Sequence, residues 1–164
     1  MRGESGLSKT VKGIVEIISG GQTGADRAAL DVAIRNGIPH SGWCPQGRLS
    51  EDGAIGANYE LEETPTPIYL QRTEWNVRDS EGTVIFTLSP RLSGGSKKTA
   101  EFAERLVRPW VHISRSRKYD PIIRLRRFVE ENRITKLNVA GSRESKEPGV
   151  YLWVSEVIER AFLV

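Results

Sequence analysis

The chain of 164 residues is poor in the residues that cross-link a fold or bind a metal, with one cysteine and two histidines. Cys44 has no second cysteine for an internal disulfide, which fits a reducing compartment. His40 and His112 lie far apart in the sequence and do not form a recognisable pair of metal ligands. The sequence therefore predicts a fold held together by its core and no metal site.

Long apolar runs are also missing. No segment approaches the roughly 20 apolar residues that a membrane-spanning helix requires, and residues 1–13 carry charges without the apolar core of a signal peptide. The composition predicts a cytoplasmic protein without a membrane partner. We expect residues 1–13, rich in glycine and serine, to be a mobile lead-in, and residues 14–164 to form a single domain.

The excess of charge of one sign is small, with 24 basic against 21 acidic residues and a net charge of +3. This balance does not in itself indicate a nucleic-acid partner. The segment from Arg105 to Arg127 is basic, because it contains eight basic residues and a single acidic residue, Asp120. A solvated helix face is favoured for this basic segment, which includes residues 115–127, over a surface that contacts nucleic acid.

One stretch, residues 14–34, combines a strand, a glycine turn and a helix in the sequence IVEIISGGQTGADRAALDVAI. The β-branched start, Ile14 to Ile18, predicts a strand buried on both faces. The glycines that follow let a ligand approach the backbone closely. Thr23 and Asp26 have the spacing of a capping box at the start of a helix that ends at Asn36 and Gly37.

A helix that begins in this way favours an anion at its first turn. A tight connection that binds nothing is the alternative. The stretch matches neither the P-loop, which needs a lysine where Asp26 stands, nor the dinucleotide fingerprint, which fails at Gln22. The Asp26 carboxylate would repel a phosphate unless Arg27, a metal or a sugar hydroxyl intervenes, so Asp26 either faces a ribose or caps the helix.

The same order of strand, glycine loop and helix returns twice. An apolar strand over residues 83–88 leads to Gly94, Gly95 and Ser96 before a helix, and a strand over residues 136–139 leads to Gly141, Ser142 and Arg143. The remaining predicted elements are strands over residues 38–44, 67–71 and 110–113, and helices over residues 73–80 (with Thr73 as N-cap), 120–132 and 149–163. Residues 45–66 form a long irregular segment.

Strands that alternate with helices predict a parallel sheet, and such sheets bind ligands beyond the carboxyl ends of their strands. The three glycine loops must then emerge at one edge, with Arg27, Arg91 and Arg143 beside them. We therefore expect a small phosphorylated or nucleotide-like ligand there. Arg48 follows the second strand and could reach the same edge, although an exposed loop charge is an equal interpretation.

Four motifs, SGGQTGADRAALD, GWCPQGR, SGGSKKTAEFA and LNVAGSRES, together resemble the molybdenum cofactor carrier family of the Rossmann-like nucleotide-sensing and lysine-decarboxylase-like superfamily. The resemblance implies an α/β fold, a Rossmann-like three-layer sandwich with a mostly parallel sheet. It also implies a homo-oligomer that holds molybdopterin or, alternatively, a nucleotide, with molybdoenzymes as candidate partners. The binding residues that it implies are Gly20, Gly21, Gln22, Thr23, Gly24, Asp26, Arg27, Gly94, Gly95, Ser96, Thr99, Gly141, Ser142 and Arg143.

An enzymatic branch of the same superfamily, similar to phosphoribohydrolases of nucleoside monophosphates, has a PGGxGTxxE loop. Residues 93–101 read SGGSKKTAE, without the leading proline or the third glycine. Glu101 would be the catalytic carboxylate of such a hydrolase, although a solvated charge is favoured for it. A binding protein is the leading hypothesis, and a hydrolase or nucleotide sensor is the alternative. Any metal would be held by the dithiolene of the pterin itself.

Overall fold

The computed structural model describes residues 13–163. The predicted lead-in therefore lies, apart from Gly13, outside the described residues. In chain order the elements are β1 (Glu16–Ile18), α1 (Ala25–Arg35), β2 (His40–Ser41), β3 (Trp43–Cys44), β4 (Leu49–Ser50), β5 (Gly53–Ala54), β6 (Glu62–Glu63), α2 (Tyr69–Arg78), β7 (Gly82–Thr87), α3 (Gly94–Arg105), β8 (Trp110–Ser114), α4 (Pro121–Glu131), β9 (Lys136–Gly141) and α5 (Val150–Phe162). None of these helices is long and apolar enough to cross a membrane.

Five parallel strands form the central sheet, in the order β2-β1-β9-β7-β8. All six residues of β7 are buried, as its apolar run predicts for a strand covered on both faces. Helices α1, α4 and α5 pack together over one face, where they enclose the larger core, and α2 packs against α3 over the other. The predicted Rossmann-like three-layer sandwich with a mostly parallel sheet is confirmed.

The strand order is that of a Rossmann fold whose first unit has moved to the end of the chain. When β9 and α5 are counted before β1, the order β2-β1-β9-β7-β8 becomes 3-2-1-4-5, the Rossmann order. The direction of the chain across the sheet then reverses between β9 and β7. Ligands of such sheets bind beyond the carboxyl ends of the strands at this switch point. The loops that follow β1, β9 and β7, three neighbouring strands, lie at this edge of the sheet.

The segment between β2 and β7 differs most from the predicted elements. The strand predicted over residues 38–44 is divided at Gly42, which has φ 146° and lies so close to Ser19 that a Cβ there would be 2.0 Å from the Ser19 carbonyl oxygen. β2 therefore joins the main sheet, whereas β3 pairs with β6. The strand predicted over residues 67–71 is wrong, because helix α2 begins at Tyr69. The helix predicted over residues 73–80 is confirmed for residues 73–78, but it begins four residues earlier and ends two residues earlier than predicted. Thr73 is not its N-cap, since its hydroxyl donates to the Tyr69 carbonyl oxygen within the helix.

The capping box predicted at the start of α1 is also wrong. The N-cap is Gly24, at φ 80°, and no side chain caps the helix. A Cβ on Gly24 would lie 2.3 Å from the carbonyl oxygen of Ser142, so the chain passes here too close to the loop after β9 for any other residue. The two glycine loops are thereby locked together, and Ala25 N donates to that same carbonyl oxygen over 3.1 Å.

Candidate functional site

A cavity of about 310 Å³ opens at the carboxyl edge of the sheet, at the switch point. This volume lies at the lower end of the range of roughly 300–1,000 Å³ found for small-molecule sites. Residues of the three predicted glycine loops line the cavity, and helix α2 completes its wall. The predicted residues that line it are Gly20, Gln22, Asp26, Gly94, Gly95, Ser96, Thr99, Gly141, Ser142 and Arg143. The predicted residues outside its lining are Gly21, Thr23, Gly24, Arg27 and Arg48.

The N-terminus of α3 opens into this cavity. Its N-cap, Ser93, makes no side-chain capping bond, and the first turn contains no acidic residue. The backbone N–H groups of residues 94–96 bond to no acceptor within residues 13–163. Both Gly94 and Ser96 line the cavity, and the space where Gly95 would carry a Cβ is open. The helix therefore presents free donors and the positive end of its dipole to the cavity.

The N-terminus of α1, by contrast, is partly closed by its own residues. Gln22 N donates to the Asp26 carboxylate over 3.3 Å, and Thr23 N donates to the Gln22 side-chain oxygen over 3.0 Å. Ala25 N bonds to the loop after β9, as described above. The N–H groups of residues 20, 21, 24 and 26 bond to no acceptor within residues 13–163, so this turn also keeps free donors, but they lie beside the Asp26 carboxylate.

A buried ion pair joins α1 to α2 at the cavity wall. Arg72 Nη1 lies 3.1 Å from Asp26 Oδ2, and both side chains are 10% exposed. Gly20 makes room for this pair, because a Cβ there would lie 1.9 Å from Arg72 Nη1. Arg72 Nε is buried without a hydrogen-bond partner among the described residues. A buried donor without a hydrogen-bond acceptor costs about 1–3 kcal/mol of stability, and more when the group is charged. An unpaired donor of this kind therefore points to an acceptor outside these residues, such as a water molecule or a ligand.

Arg72 is therefore the cation that offsets the Asp26 charge. The sequence suggested Arg27, a metal or a sugar hydroxyl for this role. Burial raises the pKa of the Asp26 carboxyl, and the neighbouring Arg72 opposes this shift.

Arg143 and Lys146 also line the cavity, and Lys146 Nζ is held 2.7 Å from Ser93 Oγ beside the start of α3. The lining contains three cations and one carboxylate, and Glu51, outside the lining, lies 3.7 Å from Arg143, so a net positive charge remains and favours an anionic ligand.

Arg27 and Arg48 hold the long segment after β3. The Arg27 guanidinium donates to the Gly21 carbonyl oxygen over 2.9 Å and forms an ion pair with Asp52 at 3.1 Å. Arg48 donates to four backbone carbonyl oxygens, those of Ile55, Gly56, Tyr59 and Leu61. The Arg48 bonds are made within residues 45–66 and hold this irregular segment together, in which the regular structure consists of the β4–β5 pair and of β6.

Thr23, Glu101 and Trp43 also lie away from the cavity lining. The Thr23 hydroxyl donates to the Glu51 carboxylate and accepts from Glu144 N. Glu101 is half-exposed and forms an ion pair with Lys98 one turn earlier on α3, at 3.1 Å. The Trp43 ring packs edge-to-face on Trp75 with centroids 4.8 Å apart.

No described group of three or more His, Cys, Asp or Glu side chains in residues 13–163 is placed to hold a metal ion. Cys44 is buried, and burial raises the pKa of its thiol. The donors that line the cavity are amides, hydroxyls and cations. This donor set suits the oxygens of an anion rather than a bare metal ion.

A parallel sheet in permuted Rossmann order, with a cationic cavity at its switch point, defines a Rossmann-like α/β protein with a cavity suited to a small anionic molecule. Residues 17–162 match the circularly permutated YpsA SLOG family, and the chain belongs to that family. The family resemblance expected from the four motifs is confirmed.

The chain is also similar to the crystal structure of the "Putative molybdenum carrier protein" from Syntrophus aciditrophicus SB. The two share 43% sequence identity with a TM-score of 0.89, over 95% of this chain and 99% of the other. No curated protein matches the chain.

Proposed function

We propose that the protein is a binding protein that holds a small phosphorylated molecule, a pterin or a nucleotide-like compound, with its phosphate at the open N-terminus of α3. One observation carries this proposal. The free N–H groups of residues 94–96 lie in the same cavity as Arg72, Arg143 and Lys146. Free N–H groups at a helix start beside cations form a common phosphate site.

The name of the similar crystal structure supports molybdenum cofactor as the ligand. The cavity fits the phosphate end of molybdopterin on charge and on donor type. Because no described cluster of side chains suits a metal, the dithiolene of the pterin would hold the molybdenum. On this proposal the cofactor is cargo, and molybdoenzymes are its recipients. We also propose that the protein is cytoplasmic and forms a homo-oligomer.

The cavity does not favour the alternative of a phosphoribohydrolase. Glu101, the carboxylate that this alternative needs, lies outside the cavity lining and is paired with Lys98. The carboxylate that lines the cavity, Asp26, is occupied by Arg72. We therefore place no catalytic residue.

Native mass spectrometry of freshly purified protein, followed by fluorescence of the oxidised and denatured extract, tests the proposal. We expect a bound mass with pterin or nucleotide character, lost in Lys146→Met and kept in Lys98→Met. The second variant is a matched control, because Lys98 sits on α3 outside the cavity lining and loses the same charge. A protein that carries no such molecule, and binds neither ribose 5-phosphate nor adenosine monophosphate when they are added, contradicts the proposal.

A further inference from the structure

One part of the cavity lining, which we call the rim, is formed by apolar side chains of α2, whereas the part at the start of α3, which we call the floor, is polar and charged. Tyr69 and Leu70, at the start of α2, line the cavity while remaining 40% and 42% exposed. Ile68, directly before them, is 59% exposed. Three consecutive large apolar side chains in contact with solvent are unusual on a folded surface, and next to a polar cavity they mark a place where a ligand lies.

The Tyr69 ring is held in place from beneath. The Arg72 guanidinium carbon lies 5.5 Å from the ring centroid, within cation–π range. Arg72 is in turn fixed by Asp26 and by the backbone at Gly20. A ring supported in this way, with part of its surface open, is a ready platform for stacking, because it loses little conformational entropy when a second ring packs on it.

The rim and the charged floor belong to one cavity, since the same space is lined by Tyr69 and Leu70 and by Ser96, Arg143 and Lys146. Arg72 links the two parts, because its guanidinium contacts the Tyr69 ring and also pairs with Asp26 in the lining. An inorganic oxyanion would occupy only the floor and would leave the apolar rim uncovered.

We infer that the ligand has two recognised parts, an oxyanion on the floor at the start of α3 and a flat heterocycle packed on Tyr69 and Leu70 at the rim. This inference rests on the proposed function. It assigns the ligand to phosphate esters of planar heterocycles. Tyr69 is then the residue that makes such esters bind more tightly than inorganic phosphate or sugar phosphates.

Calorimetric titration with ribose 5-phosphate, adenosine monophosphate and neopterin monophosphate tests this assignment. Base–aromatic stacking predicts that a ring-bearing probe binds roughly tenfold tighter than ribose 5-phosphate. Tyr69→Ala should remove this advantage and leave the affinity for ribose 5-phosphate unchanged, whereas Tyr69→Phe should keep the advantage. Whichever of the two ring-bearing probes binds tighter identifies the heterocycle. Leu152→Ala, which truncates an exposed apolar side chain outside this cavity, is the control.

The outcomes separate the two proposals. If all three probes bind equally and Tyr69→Ala changes nothing, the heterocycle subsite is wrong and the phosphate site stands. If none of the three binds, both are wrong. If Tyr69→Ala weakens ribose 5-phosphate as much as adenosine monophosphate, Tyr69 acts only by holding Arg72 in place, and the assignment of a stacking platform fails.

Discussion

Replacing Asp26 by asparagine should make the protein less stable and yet bind anions more tightly. Asp26 and Arg72 form an ion pair with both side chains 10% exposed, and the substitution leaves Arg72 as a buried cation without its counter-charge. Loss of one partner of a buried pair costs about 3–5 kcal/mol, and the retained amide oxygen favours the lower figure. At a sensitivity of about 2–4 °C for each kcal/mol in a domain of this size, a loss of about 3 kcal/mol lowers Tm by roughly 6–12 °C.

The gain in anion affinity follows from the same charge. A phosphate bonded to the far edge of the Arg72 guanidinium would lie roughly 7 Å from the Asp26 carboxylate, where an effective dielectric constant of about 20 gives a repulsion of about 2 kcal/mol. Removing that repulsion tightens binding about 30-fold, since each 1.4 kcal/mol or so is tenfold. Solvent screening in an open cavity reduces the gain, so we expect a factor of about ten.

Thermal denaturation and calorimetric titration with ribose 5-phosphate measure the two effects separately. Asp52→Asn is the matched control, because Asp52 pairs with Arg27 at a half-exposed site outside the cavity and should change neither quantity appreciably. The reasoning is refuted if Asp26→Asn weakens binding together with Tm. That result would show that Asp26 contributes more by orienting Arg72 than it costs by repelling the ligand.

Three further changes test other parts of the structure. Gly20→Ala places a Cβ 1.9 Å from Arg72 Nη1, so it should displace the guanidinium and weaken ribose 5-phosphate binding at least about tenfold, whereas Gly95→Ala meets no described atom within 4 Å and should leave Tm unchanged. Arg48→Ala removes four bonds to backbone carbonyl oxygens and should lower the free energy of unfolding in urea by at least about 3 kcal/mol, against less than about 1 kcal/mol for Arg105→Ala, which breaks an exposed pair; equal losses would contradict the role given to Arg48. Burial and the hydrogen bond to Asp31 raise the pKa of Tyr59 to about 12, so stability should be fully present below pH 10 or so and fall as the pH rises towards 12. Ultraviolet absorbance titration should show Asp31→Asn shifting this tyrosine back towards its ordinary pKa, and an unshifted titration would disprove the cause.

The layers of the fold and the place of the cavity could be predicted from local patterns. Buried strands in a parallel sheet read as unbroken apolar runs, and β7 is such a run with every residue buried. Helix signals were equally clear for α4, where Asp120 caps the helix and Pro121 opens it. Once these elements alternate, the carboxyl edge of the sheet and its three glycine loops follow from topology.

The wall formed by α2 could not be predicted in the same way. The proline-rich approach at residues 65–67 and the β-branched Ile68 indicated an extended chain, and helix α2 in fact begins directly after them. Arg72 was thereby placed at the boundary of a strand and a helix, and its partner Asp26 is 46 residues away in the sequence. Contacts of this kind depend on tertiary packing, for which a lone arginine in a polar helix gives no local signal.

Arg27 and Arg143 show the limit of inferring a ligand residue from its neighbourhood in the sequence. Both stand beside a glycine loop and both pair with a carboxylate of residues 45–66, Arg27 with Asp52 at 3.1 Å and Arg143 with Glu51 at 3.7 Å, yet only Arg143 lines the cavity. The Arg27 guanidinium is held in addition by the Gly21 carbonyl oxygen, to which it donates over 2.9 Å. Sequence neighbourhood does not show this contact, because it depends on how the turn folds back over the helix.

The distribution of carboxylates at the sheet edge explains why the start of α3, among several helix starts, is the one we propose as the anion site. Of the four helices that follow strands of the main sheet, three have backbone N–H groups at or beside their start that donate to carboxylates of the chain itself, Asp26 at α1, Asp120 at α4 and Glu144 at α5. The backbone N–H groups just after β7 are taken by Glu147. Within residues 13–163, α3 alone among these four helices lacks an internal anion at its start, and its first turn faces three cations.

Repeated glycine loops therefore do not imply repeated ligand sites. Each loop provides close backbone approach, but a loop binds an external anion only where the protein supplies no carboxylate of its own. By this criterion the turn at Gly20 and Gly21, which stands out most in the sequence, serves to seat Arg72 and join α1 to β9. Among the residues that the structure describes, the less conspicuous loop at Gly94 and Gly95 is the one whose free donors have no carboxylate of the protein beside them. On the proposed function, a ligand anion takes there the place that carboxylates hold at the other three helices.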